Sequence, residues 1–156
     1  SLACFGGYDI NNFDVKMQKE NSMSQMLMML KAIFSVKWFA KSNQKISAYT
    51  SQAQKDFYEM NVRFPKKSFV YLASLSSMVN IRQAKPRKYP LLIGCGKYDI
   101  PMELSAVEMW KKNKPECCLI IFEDAGHCVN MDVPNQFNAA MERFWTNENS
   151  KLFCQS

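Results

Sequence analysis

The sequence of 156 residues has a single histidine, His127, and no Cys-x-x-Cys pair. A zinc finger needs several such ligands at fixed spacing, so this composition excludes one. The sequence also lacks an apolar run of the roughly 18 to 20 residues that a membrane-spanning helix needs. Its first residues do not form a basic-then-apolar leader, so we expect neither secretion nor a membrane partner.

Acidic residues are in the minority, because Lys and Arg total 20 against 14 Asp and Glu, which gives a net charge of +6. Such a balance can indicate nucleic-acid binding. The lysines are scattered in small clusters, however, and no basic stripe is interleaved with aromatic residues. This favours a solvated lysine surface and no nucleic-acid partner. A hydrophobic content of 47% and a charged content of 22% are typical of one globular domain.

The cysteines lie at positions 4, 95, 117, 118, 128 and 154. The first four fall in apolar, strand-like runs, where a free cysteine behaves as a small hydrophobic residue. We therefore expect reduced, buried thiols and a cytoplasmic location.

Three apolar segments are predicted to be strands: residues 2–5, 91–95 and 117–122. Continuous apolar runs of this length, without alternation, are typical of parallel strands that are covered on both faces. Helical patterns lie between them, so the sequence predicts an α/β fold with about three parallel strands and flanking helices.

About 80 residues with helical periodicity separate the first two predicted strands, which is far longer than a normal crossover. We predict a helical lobe inserted between the strands. Ser22 is the expected N-cap of its first helix, residues 51–64 form a second helix that Pro65 ends, and a third helix follows. The apolar stripes of these helices are expected to be core or helix-to-helix packing. Their members are Met23, Met26, Leu27, Leu30, Phe34 and Trp38, then Ala53, Phe57, Met60 and Phe64, then Leu72, Leu75 and Val79.

Pro101 and Pro134 each begin a further predicted helix, because proline suits the first helical position. The first runs to about residue 112, and from residue 147 onward we expect a frayed tail. The stripes of these two helices are Leu104, Val107 and Trp110, then Phe137, Ala140, Met141 and Phe144.

The residues that point to chemistry are Asp99 and His127, which follow the second and third predicted strands. A strand–helix–strand unit places both loops at the same end of a parallel sheet, where ligands bind in open α/β folds. A carboxylate that accepts a hydrogen bond from an imidazole orients the ring and stabilises its charged form. The other ring nitrogen is then free to act as a base.

These motifs resemble the C-terminal half of an α/β-hydrolase. They are Gly96-x-x-Asp99, Ala125-Gly126-His127 and Asn130-Met131-Asp132-Val133-Pro134 before an amphipathic helix. The resemblance implies that Asp99 is the acid and His127 the base of a catalytic triad, with no cofactor and no metal. Some members place the acid after the preceding strand, so Asp9 is the alternative acid. The implied division is a core strand at residues 1–10, a helical cap at 11–85, core strands and helices with the acid and His loops at 86–147, and a tail at 148–156.

The sequence departs from the family in having no Gly-x-Ser-x-Gly nucleophile elbow and no oxyanion-hole loop. Ser42-x-x-Lys45 and Cys128 are weak alternative nucleophiles. A nucleotide-binding motif at Gly94-x-Gly96 lacks its third glycine. We therefore expect a fragment that an N-terminal half of the same hydrolase completes.

The resemblance implies a serine carboxylesterase-type acyl hydrolase, with a small apolar ester-like substrate and an isolated chain that is inactive. Two alternatives stay open. One is another activity of this fold, such as that of an epoxide hydrolase, dehalogenase, peptidase or C–C hydrolase. The other is a non-catalytic ligand-binding or signalling protein on the same scaffold.

Overall fold

A computed structural model describes residues 1–9, 15–74 and 89–146 of the chain. Its helices and strands follow one another in an α/β arrangement, as predicted. They are β1 (Leu2–Phe5), α1 (Val15–Phe34), α2 (Val36–Ser47), α3 (Ser51–Arg63), α4 (Lys66–Ser74), β2 (Leu91–Gly96), α5 (Pro101–Asn113), β3 (Cys118–Phe122), α6 (Val129–Asp132) and α7 (Pro134–Thr146).

The strands form one parallel sheet in the order β1-β2-β3. Leu2 lies opposite Leu91, and Leu92 lies opposite Cys118. The prediction of parallel strands is therefore confirmed for the described residues, with β3 beginning one residue later than expected. Because β2 is central, every one of its residues is buried.

Alternate residues of β2 serve two different cores, which explains why the strand is apolar throughout. Leu91, Ile93 and Cys95 pack on the α5 side, where Val107 and Trp110 are buried. Leu92 faces the other core, which Phe122 of β3 and three side chains of α7 complete. Those three are Ala140, Met141 and Phe144. Helices therefore cover the sheet on both faces.

The first predicted helix of the inserted lobe is two helices. Ser35 is extended, with φ −155° and ψ 115°, and its side chain accepts a hydrogen bond from the backbone N–H of Trp38 at 3.3 Å. Ser35 thus caps α2. The prediction of Ser22 as N-cap is wrong, because α1 already begins at Val15 and Ser22 lies inside it. The apolar spacing runs on across the break, and so it concealed the boundary.

The apolar stripe of α1 and α2 is exposed, and the expectation that it is core is wrong for the described residues. The exposed fractions of its six members run from 42% for Leu30 to 77% for Phe34. Small residues are buried in its place, since Ala32 and Ala40 have no exposed surface. Periodicity shows that a helix has an apolar face, but it does not show that a partner covers that face.

The bounds of helix α3 follow the prediction closely, but Met60 and Phe64 of its predicted packed stripe are 54% and 38% exposed. The Thr50 side chain caps it by accepting from the N–H of Ala53 at 3.2 Å, and the helix ends at Arg63, before Pro65. Leu75 and Val79, which were predicted for the third helix, lie outside the described residues. The predicted tail after residue 146 also lies outside them.

One cysteine corrects the prediction of reduced thiols. Cys118 is disulfide-bonded, whereas Cys4, Cys95, Cys117 and Cys128 are thiols that form no disulfide. An apolar run marks a buried thiol but does not reveal which sulfur atoms meet in space, and the prediction failed for this reason. Among the described helices, none combines the length and the apolar character needed to cross a membrane.

Candidate active site

The turns that follow β2 and β3 are joined by backbone hydrogen bonds. The N–H of Lys97 donates to the carbonyl of Phe122 at 2.9 Å, and the N–H of Tyr98 donates to the carbonyl of Ala125 at 3.0 Å. Gly96 makes this approach feasible, because a Cβ there would overlap the carbonyl oxygen of Ala125. The side chain of Asp99 is thereby carried toward the loop that holds His127.

Asp99 and His127 are in contact. The imidazole Nδ1 lies 3.0 Å from Asp99 Oδ1, and the same oxygen accepts the N–H of Ile100 at 2.7 Å. The Asp99 side chain has no exposed surface, whereas that of His127 is 34% exposed. A carboxylate can only accept a hydrogen bond, so Nδ1 carries a proton and donates the bond. In a neutral His127, Nε2 is therefore the nitrogen without a proton. The structure therefore brings together the two residues that the sequence singled out.

The pKa of His127 is raised above its ordinary value, chiefly by its hydrogen bond to Asp99. Burial of the ring acts in the opposite direction, the negative charge of Asp99 raises the pKa further, and Glu103 adds to this rise only in its ionised form. His127 is thus a base whose pKa depends on two neighbouring acidic residues.

Glu103 is a residue of this site that the sequence analysis missed. It lies in the first turn of α5, four positions after Asp99, and is only 4% exposed. Burial raises the pKa of its carboxyl most, Asp99 raises it further, and His127 lowers it. An acidic residue near a helix N-terminus is favoured by the helix dipole, so its position alone gave no sign of a buried role.

Asp132 fixes the His127 loop to the inserted lobe. Its carboxylate accepts hydrogen bonds from the backbone N–H groups of Tyr49 at 3.0 Å, Thr50 at 2.7 Å and Gly126 at 2.9 Å. The Thr50 hydroxyl adds a fourth bond at 3.0 Å. The sequence analysis quoted Asp132 only as part of a motif, because its partners in the lobe lie more than 80 positions earlier in the chain.

A second connection joins the same two regions, since the N–H of Cys128 donates to the carbonyl of Ser47 at 2.7 Å. The rings of Tyr49 and Tyr98 also stack, with centroids 4.1 Å apart and planes within 4° of parallel. The inserted lobe therefore borders the site at the loop between α2 and α3.

The loop after β1 touches the imidazole as well. Gly6 adopts a φ of +59°, and a Cβ there would lie 2.8 Å from His127 Cε1. Asp9, the alternative acid, is buried in the same region, but the carboxylates that act on His127 are those of Asp99 and Glu103.

The alternative nucleophiles are placed poorly for that role. The Ser42 hydroxyl lies within α2 and donates to the carbonyl of Phe39 at 3.1 Å. Burial raises the pKa of the Cys128 thiol to about 11, which keeps it protonated near neutral pH. Within the described ranges, no three His, Cys, Asp or Glu side chains are grouped so that they would hold a metal ion.

No protein-family model matches the sequence, and a search of the curated proteins finds no match either. The interpretation of this site therefore depends on its geometry and chemistry.

Proposed function

We propose that this chain supplies the acid and the base of an α/β-hydrolase that cleaves an ester or a related acyl substrate. The observation that carries the proposal is the 3.0 Å contact between His127 Nδ1 and Asp99 Oδ1 at the carboxyl ends of two neighbouring parallel strands. Within the described part of the chain, Nε2 of the same ring has no hydrogen-bond partner. A base whose outer nitrogen is unoccupied and whose inner nitrogen is fixed is what nucleophile activation needs.

The proposed reaction uses a serine from outside this sequence, because no Gly-x-Ser-x-Gly elbow occurs within it. That serine attacks the substrate carbonyl while His127 Nε2 takes its proton. His127 then passes the proton to the leaving group, and Asp99 stabilises the imidazolium in between. A water molecule activated by His127 next releases the acyl group. All steps are proton transfers and acyl transfers, so they need no cofactor.

Aromatic side chains beside the site favour a substrate with a small apolar acyl or alkyl group. Tyr49 is 44% exposed and Tyr98 is 51% exposed, although their rings are stacked on each other. Tyr98 immediately precedes Asp99, and the backbone of Tyr49 lies close to Gly126, next to His127. Exposed ring surface of this kind can contact an apolar ligand.

A non-catalytic binding protein is the second candidate, and the absence of a nucleophile elbow from the 156 residues favours it. A related hydrolase with an Asp nucleophile, such as an epoxide hydrolase or a dehalogenase, would use the same acid and base. These functions differ in the group that attacks, and a probe of the nucleophile therefore distinguishes them.

The test is fluorophosphonate labelling of the natural polypeptide that carries this sequence, together with hydrolysis of p-nitrophenyl butyrate. We expect His127→Ala to slow both reactions at least about a thousandfold, and Asp99→Asn to be similarly severe. Asp9→Asn is the matched control, since it is a buried carboxylate that does not act on His127, and it should retain most of the activity.

Four outcomes would change the assignment. Undiminished labelling of His127→Ala overturns the proposed base. A severe effect of Asp9→Asn with a mild effect of Asp99→Asn moves the acid to Asp9. Absence of labelling, with retained binding of the ester, supports the binding protein, whereas hydrolysis of an epoxide or haloalkane without labelling supports an Asp nucleophile.

A further inference from the structure

Two buried carboxyl oxygens beside His127 have no hydrogen-bond donor among the described residues. They are Asp99 Oδ2 and Glu103 Oε2, and each has less than 1 Å² of accessible surface. Both residues are more than nine-tenths buried, at 6% and 4% exposure. A buried acceptor that receives no donor costs about 1–3 kcal/mol, and more when it is charged, so this arrangement needs an explanation.

The donors that reach the two groups decide which of them carries the negative charge. Asp99 Oδ1 accepts from the Ile100 N–H and from His127 Nδ1, and both bonds favour the ionised carboxylate. The described residues give no such donor to the Glu103 carboxyl. Burial without donors favours the neutral acid. A neutral carboxyl has an O–H to donate, and Asp99, whose charge acts on Glu103, has in Oδ2 a buried acceptor without a donor in the described part of the chain.

We propose that Glu103 is a positioning residue that keeps its proton and donates a hydrogen bond to Asp99 Oδ2, directly or across one water molecule. This satisfies both oxygens with one proton. The two described acids that act on His127 then contribute one negative charge between them, on Asp99.

The consequence for chemistry depends on the proposed function. A second anion beside His127 would raise the pKa of the ring further, so that Nε2 would be protonated, and unable to accept the proton of a nucleophile, up to a higher pH. A neutral Glu103 avoids this added rise and still stabilises the Asp99 carboxylate.

The other titratable groups around this cluster are few. Asp99 and Glu103 are the described acids that influence the pKa of His127 in their ionised forms, and His127 and Asp99 are the described groups that act on Glu103. The charge of Asp99 also acts on the thiols of Cys95 and Cys128. Burial raises the pKa of each thiol to about 11, so both stay protonated near neutral pH.

The single histidine allows a clean measurement, because the imidazole NMR signals of the chain belong to His127 alone. Titration of wild type, Glu103→Gln, Glu103→Leu and Glu108→Gln separates charge from hydrogen bonding. Gln is neutral, like a protonated Glu103, and its amide can still donate a hydrogen bond. The midpoint of the His127 titration should therefore stay within about 0.3 pH unit of wild type. Glu108→Gln is the matched control, an exposed glutamate on the same helix.

Leu removes the donor, so Asp99 Oδ2 is left without its proposed partner, and the His127 signals should change more in Glu103→Leu than in Glu103→Gln. Infrared spectroscopy gives an independent measurement at neutral pH. Wild type should show the C=O stretch of a protonated carboxyl group, and Glu103→Gln should lack it.

A fall of the His127 midpoint by about one unit in Glu103→Gln would overturn the proposal, because it would mean that an ionised Glu103 had been removed. Absence of the protonated-carboxyl band from wild type would overturn it as well, even if a variant failed to fold. None of these measurements requires activity. A confirmed proton on Glu103 without fluorophosphonate labelling would therefore reject the serine hydrolase and retain this assignment.

Discussion

Truncation of Asp132 to alanine should destabilise the chain strongly, because this one carboxylate connects the inserted lobe to the His127 loop. It is only 9% exposed and accepts four hydrogen bonds from the two regions. Asp132→Ala removes both acceptor oxygens, so all four hydrogen bonds are lost at once. Three of the donors left behind are backbone N–H groups, which cannot move away without opening a loop.

The magnitude follows from how buried each donor is. The bond from the Gly126 N–H is buried, so its loss should cost about 2–3 kcal/mol, as expected for a hydrogen bond to a charged group. The bonds from Tyr49 and Thr50 are partly buried, and water can replace them in part, which suggests about 0.5–1 kcal/mol each. Because neighbouring bonds are not additive, we expect a total of about 3–5 kcal/mol.

The assay is urea unfolding followed by circular dichroism, with Asp132→Asn and Asp124→Ala measured alongside. Asn keeps one acceptor oxygen and loses the charge, so about half of the effect should remain. Asp124 is an exposed acid in the turn after β3, and its truncation should stay within about 0.5 kcal/mol of wild type. Hydrogen exchange should accelerate at the amides of Tyr49 and Gly126. A loss below about 1 kcal/mol in Asp132→Ala would refute the claim that this carboxylate holds the two regions together.

Three further predictions concern the site itself. The raised pKa of His127 means that the stability from its Asp99 contact is complete below about pH 6.5 and is lost as the pH rises through the folded pKa; the decline measured by urea unfolding above about pH 6.5 should be reduced in Asp99→Asn, and an unchanged decline would contradict the coupling. Gly6→Ala should cost about 1–2 kcal/mol from its positive φ and shift the His127 NMR signals, since the new Cβ would press on the ring. At about pH 8 roughly one Cys128 thiol in a thousand should be ionised, so iodoacetamide should modify it far more slowly in the folded protein than in urea; equal rates would refute its protection.

The sheet and the contact at its edge were predictable because both follow from local patterns. Residues 2–5 and 91–95 are short apolar runs followed by glycine, and such runs form buried parallel strands in α/β folds. The carboxyl ends of parallel strands lie at one edge, so residues that follow two neighbouring strands must approach each other. The meeting of Asp99 with His127 therefore required no knowledge of the inserted lobe.

What the sequence did not reveal depends on partners that are distant in the chain. Asp132 binds Tyr49 and Thr50 across more than 80 intervening positions, and no local pattern marks such a contact. Glu103 has a position that suits an ordinary solvated glutamate at a helix start, and its burial to 4% exposure is visible only in the folded structure. The boundary at Ser35 was missed for the opposite reason, because a continuous apolar stripe was a stronger signal than a single capping serine.

The three buried acids around the His127 loop show why donor count matters more than residue type. Asp132 accepts four hydrogen bonds, Asp99 accepts two, and Glu103 has none from the described residues. An ionised carboxylate is retained in a protein interior when donors replace the water it has lost, so charge belongs on the first two and a proton on the third. Each acid then has its own role, since Asp132 holds the loop, Asp99 orients the ring, and Glu103 adds a donor without adding charge. If Glu103 were ionised instead, its charge would raise the pKa of His127 further, and a larger fraction of the rings would be protonated and unable to activate a nucleophile at a given pH.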